Sequence, residues 1–284
     1  MSHYSPLLPL PSNHERNERP PFPAPAARGL DASDVAMRPG SIYGSRKASL
    51  VLDIIVVGCG IGGLSTAFCL TQAGHRVTII ESRPIPGEIG AGIHFGPNST
   101  QLLYRWGLGK HLDGVAVRAE GIELKRYNTG ERVGFMKREG ALERGRGAPY
   151  CFVHRADLHK LLHDLVTPHV SIRLGAAVVG CDPDPVSPSV TLESGEVIQA
   201  DLIVGADGVN SCIQPVVTGK PNSGVPTGDA AYRATIPVSL LTQDPELREF
   251  IEQPQMTVWT GPGRWVVGYP VVRSSPFQVP VRKC

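Results

Sequence analysis

Three glycines stand at the spacing Gly58-x-Gly60-x-x-Gly63, and an acid, Glu81, follows 23 residues after the first of them. This pattern suits the capture of a pyrophosphate. Gly58 allows a tight turn, Gly60 lets phosphate oxygens approach the backbone, and Gly63 lets the following helix pack close to its strand. The free N–H groups of a helix N-terminus add a positive dipole end. A carboxylate at Glu81 can accept the ribose hydroxyls of an adenosine. The motif does not by itself separate FAD from NAD. A second cluster, Gly205-Ala206-Asp207-Gly208, brings an acid and two glycines to the end of another apolar run. It reads equally as a carboxylate at the ligand-binding edge of a sheet or as a plain Asp-Gly turn.

The elements that must position these residues are legible around them. Leu50 to Val57 is a β-branched run suited to a parallel strand buried on both faces. Leu64 to Ala73 carries apolar residues at helical spacing, Gly74 closes it, and Arg76 to Glu81 is a second strand. Strand, glycine turn, helix and strand make one βαβ unit. Further on, helices are expected over Pro97 to Trp106 and Asp157 to Val166. Short strands are expected over Ser171–Leu174, Ala177–Gly180, Val190–Leu192 and Val197–Ile198, then a buried one over Ala200–Val204. From Thr227 the pattern suggests antiparallel strands at Tyr232–Ile236, Met256–Thr260 and Trp265–Tyr269.

Other chemistry-bearing residues carry weaker signals. His159 and His163 lie four apart on one helix face, but Lys-Leu-Leu between them is not the Glu-x-x of a zinc protease, and no metal is expected. His94 reads as a polar residue near a bound group or as a satisfied histidine. No G-x-S-x-G elbow occurs, which removes the α/β-hydrolase reading.

Composition narrows the class. With 284 residues the chain is long enough for one large domain or two modest ones, and 41% hydrophobic residues match a globular protein. A net charge of +2 offers no global field for nucleic acid or a membrane surface. No apolar stretch approaches the roughly 20 residues of a membrane helix. The six scattered cysteines include no C-x-x-C pair, so reduced thiols in a cytoplasmic chain are expected. Residues 1–48, rich in proline, read as a disordered tail.

Taken together, the motifs resemble a known family, the flavin-dependent aromatic hydroxylases (group A flavoprotein monooxygenases of salicylate-hydroxylase type). Gly58-Cys-Gly60-Ile-Gly-Gly63, then Gly90-Ala91-Gly92-Ile93 with Pro97-Asn98, then His154-Arg155-Ala156-Asp157-Leu158, then Gly205-Ala206-Asp207-Gly208 match in order. The similarity runs from about Asp53 to about Tyr269. It implies FAD as bound cofactor, NAD(P)H as transient reductant, O2 as co-substrate and a small aromatic substrate. By the same resemblance Glu81 holds the adenosine ribose, Ala91 and Gly92 line the flavin path, Arg155 contacts the cofactor, and Asp207-Gly208 serves both nucleotides. Arg233 looks like an Arg of related phenol hydroxylases and is a candidate for the substrate's anionic group. Tyr269 is a candidate hydrogen-bond partner for the substrate oxygen. For Arg233 and Tyr269, a solvated sheet Arg and a core Tyr stand as equal readings.

Two features depart from the family. The third motif normally carries Arg three residues after its Ser, where this chain has Gln214 after Ser211. Beyond Tyr269-Pro270, residues 274–284 resemble nothing in the family, and its second Gly-Asp segment is absent from the sequence. The resemblance therefore implies a chain truncated at its C-terminus. The expected architecture is α/β: a Rossmann-like FAD-binding domain over 49–226 interleaved with a partial β-sheet substrate domain over 227–284. The expected activity is FAD-dependent hydroxylation of a phenolic or aromatic-acid substrate. A non-catalytic remnant of that family is the alternative, with an NAD-dependent dehydrogenase less favoured because it leaves Gly205 to Ser211 unexplained.

Overall fold

A computed structural model describes residues 47–84, 91–137, 148–272 and 275–283. Nearly all of the proline-rich tail, together with Gly90 and Cys284, lies outside the described residues. In chain order the first elements are β1 (Asp53–Val57), α1 (Ile61–Ala73), β2 (Arg76–Ile80), β3 (Gly92–Phe95), α2 (Pro97–Arg105) and α3 (Gly109–Val115). Then come β4 (Val117–Arg118), β5 (Gly121–Arg126), β6 (Arg132–Lys137), β7 (Cys151–His154), α4 (Arg155–Val166) and β8 (Ser171–Arg173). Next are β9 (Val178–Asp182), β10 (Ser189–Leu192), β11 (Val197–Gln199), β12 (Leu202–Gly205) and α5 (Ile213–Thr218). The last are β13 (Ala230–Ile236), α6 (Val238–Leu241), α7 (Pro245–Glu252), β14 (Gln255–Gly261), β15 (Arg264–Val272) and β16 (Ser275–Lys283).

The base is a parallel sheet in the order β12-β1-β2-β8. Alternation along β1 and β2 sends side chains to two cores. Ile54, Val56, Val77 and Ile79 pack with Leu64 and Phe68 of α1 and with Leu158, Leu162 and Leu165 of α4. Ile55, Val57 and Ile80 face the opposite way, against Val190 and Leu192 of the small antiparallel sheet β11-β10-β9 and Ile213 of α5. Both faces of the parallel sheet are therefore covered, as an uninterrupted β-branched run requires. Each fully buried Leu or Phe here contributes about 1.5–3 kcal/mol.

The second unit is a six-stranded sheet in the order β13-β16-β15-β14-β5-β6. It packs on a three-stranded sheet, β3-β7-β4, through Tyr150, Phe152, Met256, Tyr269 and Val271. Strands β5 and β6, from residues 121–137, belong to this sheet because β14 pairs in parallel with β5. The sheet thus draws on both sides of the boundary expected at residue 226. Residues 275–283, which carried no family signal, form β16 between β13 and β15. No helix among the described residues is long and apolar enough to cross a membrane.

Candidate functional site

The glycine turn leaves β1 at Gly58, whose φ of +104° and N–H bond to the Ile80 carbonyl (2.8 Å) bend the chain sharply. A Cβ at Gly58 would lie 2.5 Å from the Ala206 carbonyl oxygen, and one at Gly63 would lie 1.9 Å from the Gly58 carbonyl oxygen. Gly60 differs: nothing stands within 4 Å of the space its Cβ would take. Two of the glycines serve close packing, and the middle one keeps a face open. Helix α1 then begins with no side-chain cap and no acid in its first turn. Its orphan N–H groups form a binding end for an anion.

Strand β12 lies beside β1 with Val57 opposite Gly205, and the Ala206 N–H donates to the Val57 carbonyl (2.8 Å). This register sets the Gly205-Ala206-Asp207-Gly208 turn against the Gly58 turn. The Asp207 carboxylate accepts from the Ser211 hydroxyl (2.5 Å) and from the N–H groups of Cys212 (2.7 Å) and Ile213 (3.2 Å). Burial pushes its carboxyl up, yet these bonds together hold it below the usual value. Asp207 thus braces the entry to α5 and fixes the turn, while Gly208, at φ +80°, has open space on its Cβ side.

Glu81 sits where β2 ends. One carboxylate oxygen accepts the Cys59 N–H (2.8 Å), and the other accepts the Arg83 N–H (2.9 Å) and the Ser82 hydroxyl (3.2 Å). Burial pushes this carboxyl up too, but the bonds and the Arg83 charge hold it low, so it is an anion at neutral pH. The Cys59 thiol is buried and pushed up to about 11 by burial and by Glu81, which makes it inert.

These groups surround one cavity of about 540 Å³. Of the nine residues expected to hold a cofactor, Gly58, Gly60, Glu81, Arg155, Asp207 and Gly208 line it. Gly63 lies beneath, as packing requires. Ala91 and Gly92 connect indirectly: the Ala91 carbonyl accepts the Arg155 N–H (2.8 Å), and the Gly92 carbonyl accepts the Tyr269 hydroxyl (2.9 Å). His159, read from the sequence only as an unsuitable metal ligand, also lines the cavity and bonds the Cys59 carbonyl through Nε2 (2.7 Å). Its place four residues after Arg155 on one helix was the available signal.

Arg233 and Tyr269 stand apart from this cavity, on the six-stranded sheet. Tyr269 and Thr235 both face Gln278 of β16 in register, so Arg233, two residues before Thr235, shares the face of Tyr269. Arg233 is exposed and Tyr269 is buried. Burial pushes the Tyr269 hydroxyl up, with the charge of Arg233 pulling the other way. His94, also missed as a member of this group, meets the Tyr150 hydroxyl through Nδ1 (2.6 Å) and presents its ring edge-on to Tyr269.

The residues present fit a dinucleotide. An uncapped helix start, an open glycine, the Glu81 carboxylate at the end of β2 and a basic residue on α4 converge on one cavity, which suits FAD as cofactor. Comparison with known proteins agrees. A family model described as an FAD binding domain matches residues 51–264. The FAD-dependent monooxygenase ntnJ of Nectria sp is 38% identical over 221 residues, covering 77% of this chain and 50% of that protein. The 3-amino-4-hydroxybenzoate 2-monooxygenase of Streptomyces cremeus is 34% identical over 219 residues, covering 77% and 53%. The crystal structure of Klebsiella pneumoniae HpxO complexed with FAD and uric acid aligns with a TM-score of 0.70 at 25% identity, covering 81% of this chain and 56% of that one. The chain spans about half the length of the curated relatives it matches. The resemblance read from the spaced motifs is borne out: the relatives are flavoprotein monooxygenases, and the chain belongs to the FAD binding domain family.

Proposed function

We propose that this chain binds FAD between its two glycine turns and, with NAD(P)H as reductant and O2 as oxidant, hydroxylates a phenolic or aromatic-acid substrate. The carrying observation is the interlock of the two turns, in which Gly58 has no room for a Cβ against Ala206 while Gly60 opens on the shared cavity. A plain dehydrogenase gives the second turn no purpose.

When bound, FAD supplies the electron transfer and the oxygen activation. The chain's own residues bind and orient. The start of α1 receives the pyrophosphate, Glu81 accepts the ribose hydroxyls, and Arg155 contributes positive charge from α4. Asp207 keeps the second turn rigid so that Gly208 presents backbone to the cofactor. On the other sheet, Arg233 offers a permanent charge and a planar fork of donors to a carboxylate or phenolate. Tyr269 anchors Gly92 and with it the path beside the flavin. A ring bearing both a carboxylate and a hydroxyl, as in the substrate naming the Streptomyces relative, suits this arrangement. A reducing, cytoplasmic setting belongs to the same reading.

The test is NADH and NADPH consumption by the FAD-loaded chain across a panel of hydroxybenzoates, with product mass measured. The expected result is consumption stimulated by at least one acid and a product heavier by one oxygen atom. An FAD-loaded chain that consumes neither nucleotide with any acid contradicts the hydroxylase reading.

A further inference from the structure

We infer that His159 is a positioning residue for the cofactor's pyrophosphate, acting through the Cys59–Gly60 peptide rather than by touching the cofactor. The inference rests on the FAD reading above. His159 is 8% exposed, projects from α4 into the wall of the cavity, and lies 2.7 Å from the Cys59 carbonyl oxygen through Nε2. A carbonyl oxygen only accepts, so the proton of this bond sits on Nε2. The Cys59 carbonyl and the Gly60 N–H belong to one rigid peptide plane. Holding the oxygen toward α4 therefore fixes where the Gly60 N–H points, and donation to that oxygen polarises the N–H at the other end of the plane.

Two further observations support the assignment. The Gly60 N–H donates to no group among the described residues, and the space beside Gly60 is open. The preceding peptide plane is held independently, since the Cys59 N–H donates to Glu81 at 2.8 Å. Cys59 is thus clamped on both sides, by an acid from β2 and a histidine from α4. Its buried side chain, 3% exposed, anchors it from below. Clamping leaves the intervening glycine with its donor outward and its orientation prepaid, the arrangement that favours anion capture.

The experiment compares FAD affinity of the wild-type chain with His159→Met, which fills the space without a donor, and His159→Gln, whose amide can reach the same carbonyl. Thermal melting of each apo chain is measured in parallel. Expected are a loss of affinity in His159→Met of roughly tenfold or more, substantial recovery in His159→Gln, and apo chains that all remain folded at the temperature of the titration. Equal affinity of wild type and His159→Met overturns the inference and leaves the FAD reading intact. Failure of the wild-type chain to bind FAD overturns both. Should His159→Met not fold, nitrogen NMR of the wild-type chain labelled at histidine decides: an Nε2-protonated His159 supports the inference, and an Nδ1-protonated one overturns it.

Discussion

At Gly60 and Gly58 the same substitution has opposite consequences, because one glycine faces open space and the other faces a neighbouring backbone. Gly60 has φ −76° and nothing near its Cβ position. Gly60→Ala is therefore expected to change apo stability by no more than about 1 kcal/mol, while a methyl group placed where the pyrophosphate approaches lowers FAD affinity at least tenfold. Gly58→Ala meets both positive φ and the Ala206 carbonyl. It is expected to cost at least about 1–3 kcal/mol from backbone strain alone. Urea unfolding of both apo variants, with FAD titration of Gly60→Ala, checks the contrast. Equal stability losses at the two positions would show that the turn is not built as described.

Among elements, the decisive ties run over long sequence distances. Tyr269 of β15 holds the Gly92 carbonyl of β3 across 177 positions. Tyr269→Phe removes this buried hydrogen bond and is expected to destabilise by about 0.5–1.5 kcal/mol. Arg233, exposed on the same sheet face, is expected to matter little for stability, within about 0.5 kcal/mol. Arg233→Ala should instead raise the KM for an aromatic acid, which steady-state kinetics would detect. This contrast also shows what was legible in the residues alone. The βαβ unit, α4 and most of β8 to β15 announced themselves because apolar period and turn glycines are local signals. Strands β5 and β6 did not: they pair with each other locally, but Gly-Ile-Glu-Leu-Lys-Arg joins the sheet only through β14, more than a hundred residues later. The same limit applied to side chains. Asp207 was readable as turn or ligand, and only the fold shows its carboxylate bonded to Ser211, Cys212 and Ile213. His159 stood out for its spacing from His163, whereas its working partner, Cys59, lies 100 residues away.

For the whole molecule, the two carboxylates at the site link pH to stability. Glu81 and Asp207 are held below their ordinary values of 4.5 and 3.8. Groups lowered in the folded state stabilise it fully above those ordinary values, and the contribution is lost as pH falls through the folded ones. Asp157, pushed up by burial, works in the opposite sense. The melting temperature of the apo chain is expected to fall from about pH 5 toward about pH 3, less steeply in a Glu81→Gln, Asp207→Asn double variant. A profile as steep in that variant as in wild type would place the acid lability elsewhere. The parallel sheet, its two cores and the turns between β1, α1 and β12 together make the cofactor cavity. This assembly, in a chain that spans about half the length of the curated relatives it matches, organises a flavin site. Titrating the purified apo chain with FAD while following flavin fluorescence tests that claim most directly. Saturable binding near micromolar, about −8 kcal/mol, is the predicted result, and absence of saturation by folded, soluble protein would contradict it.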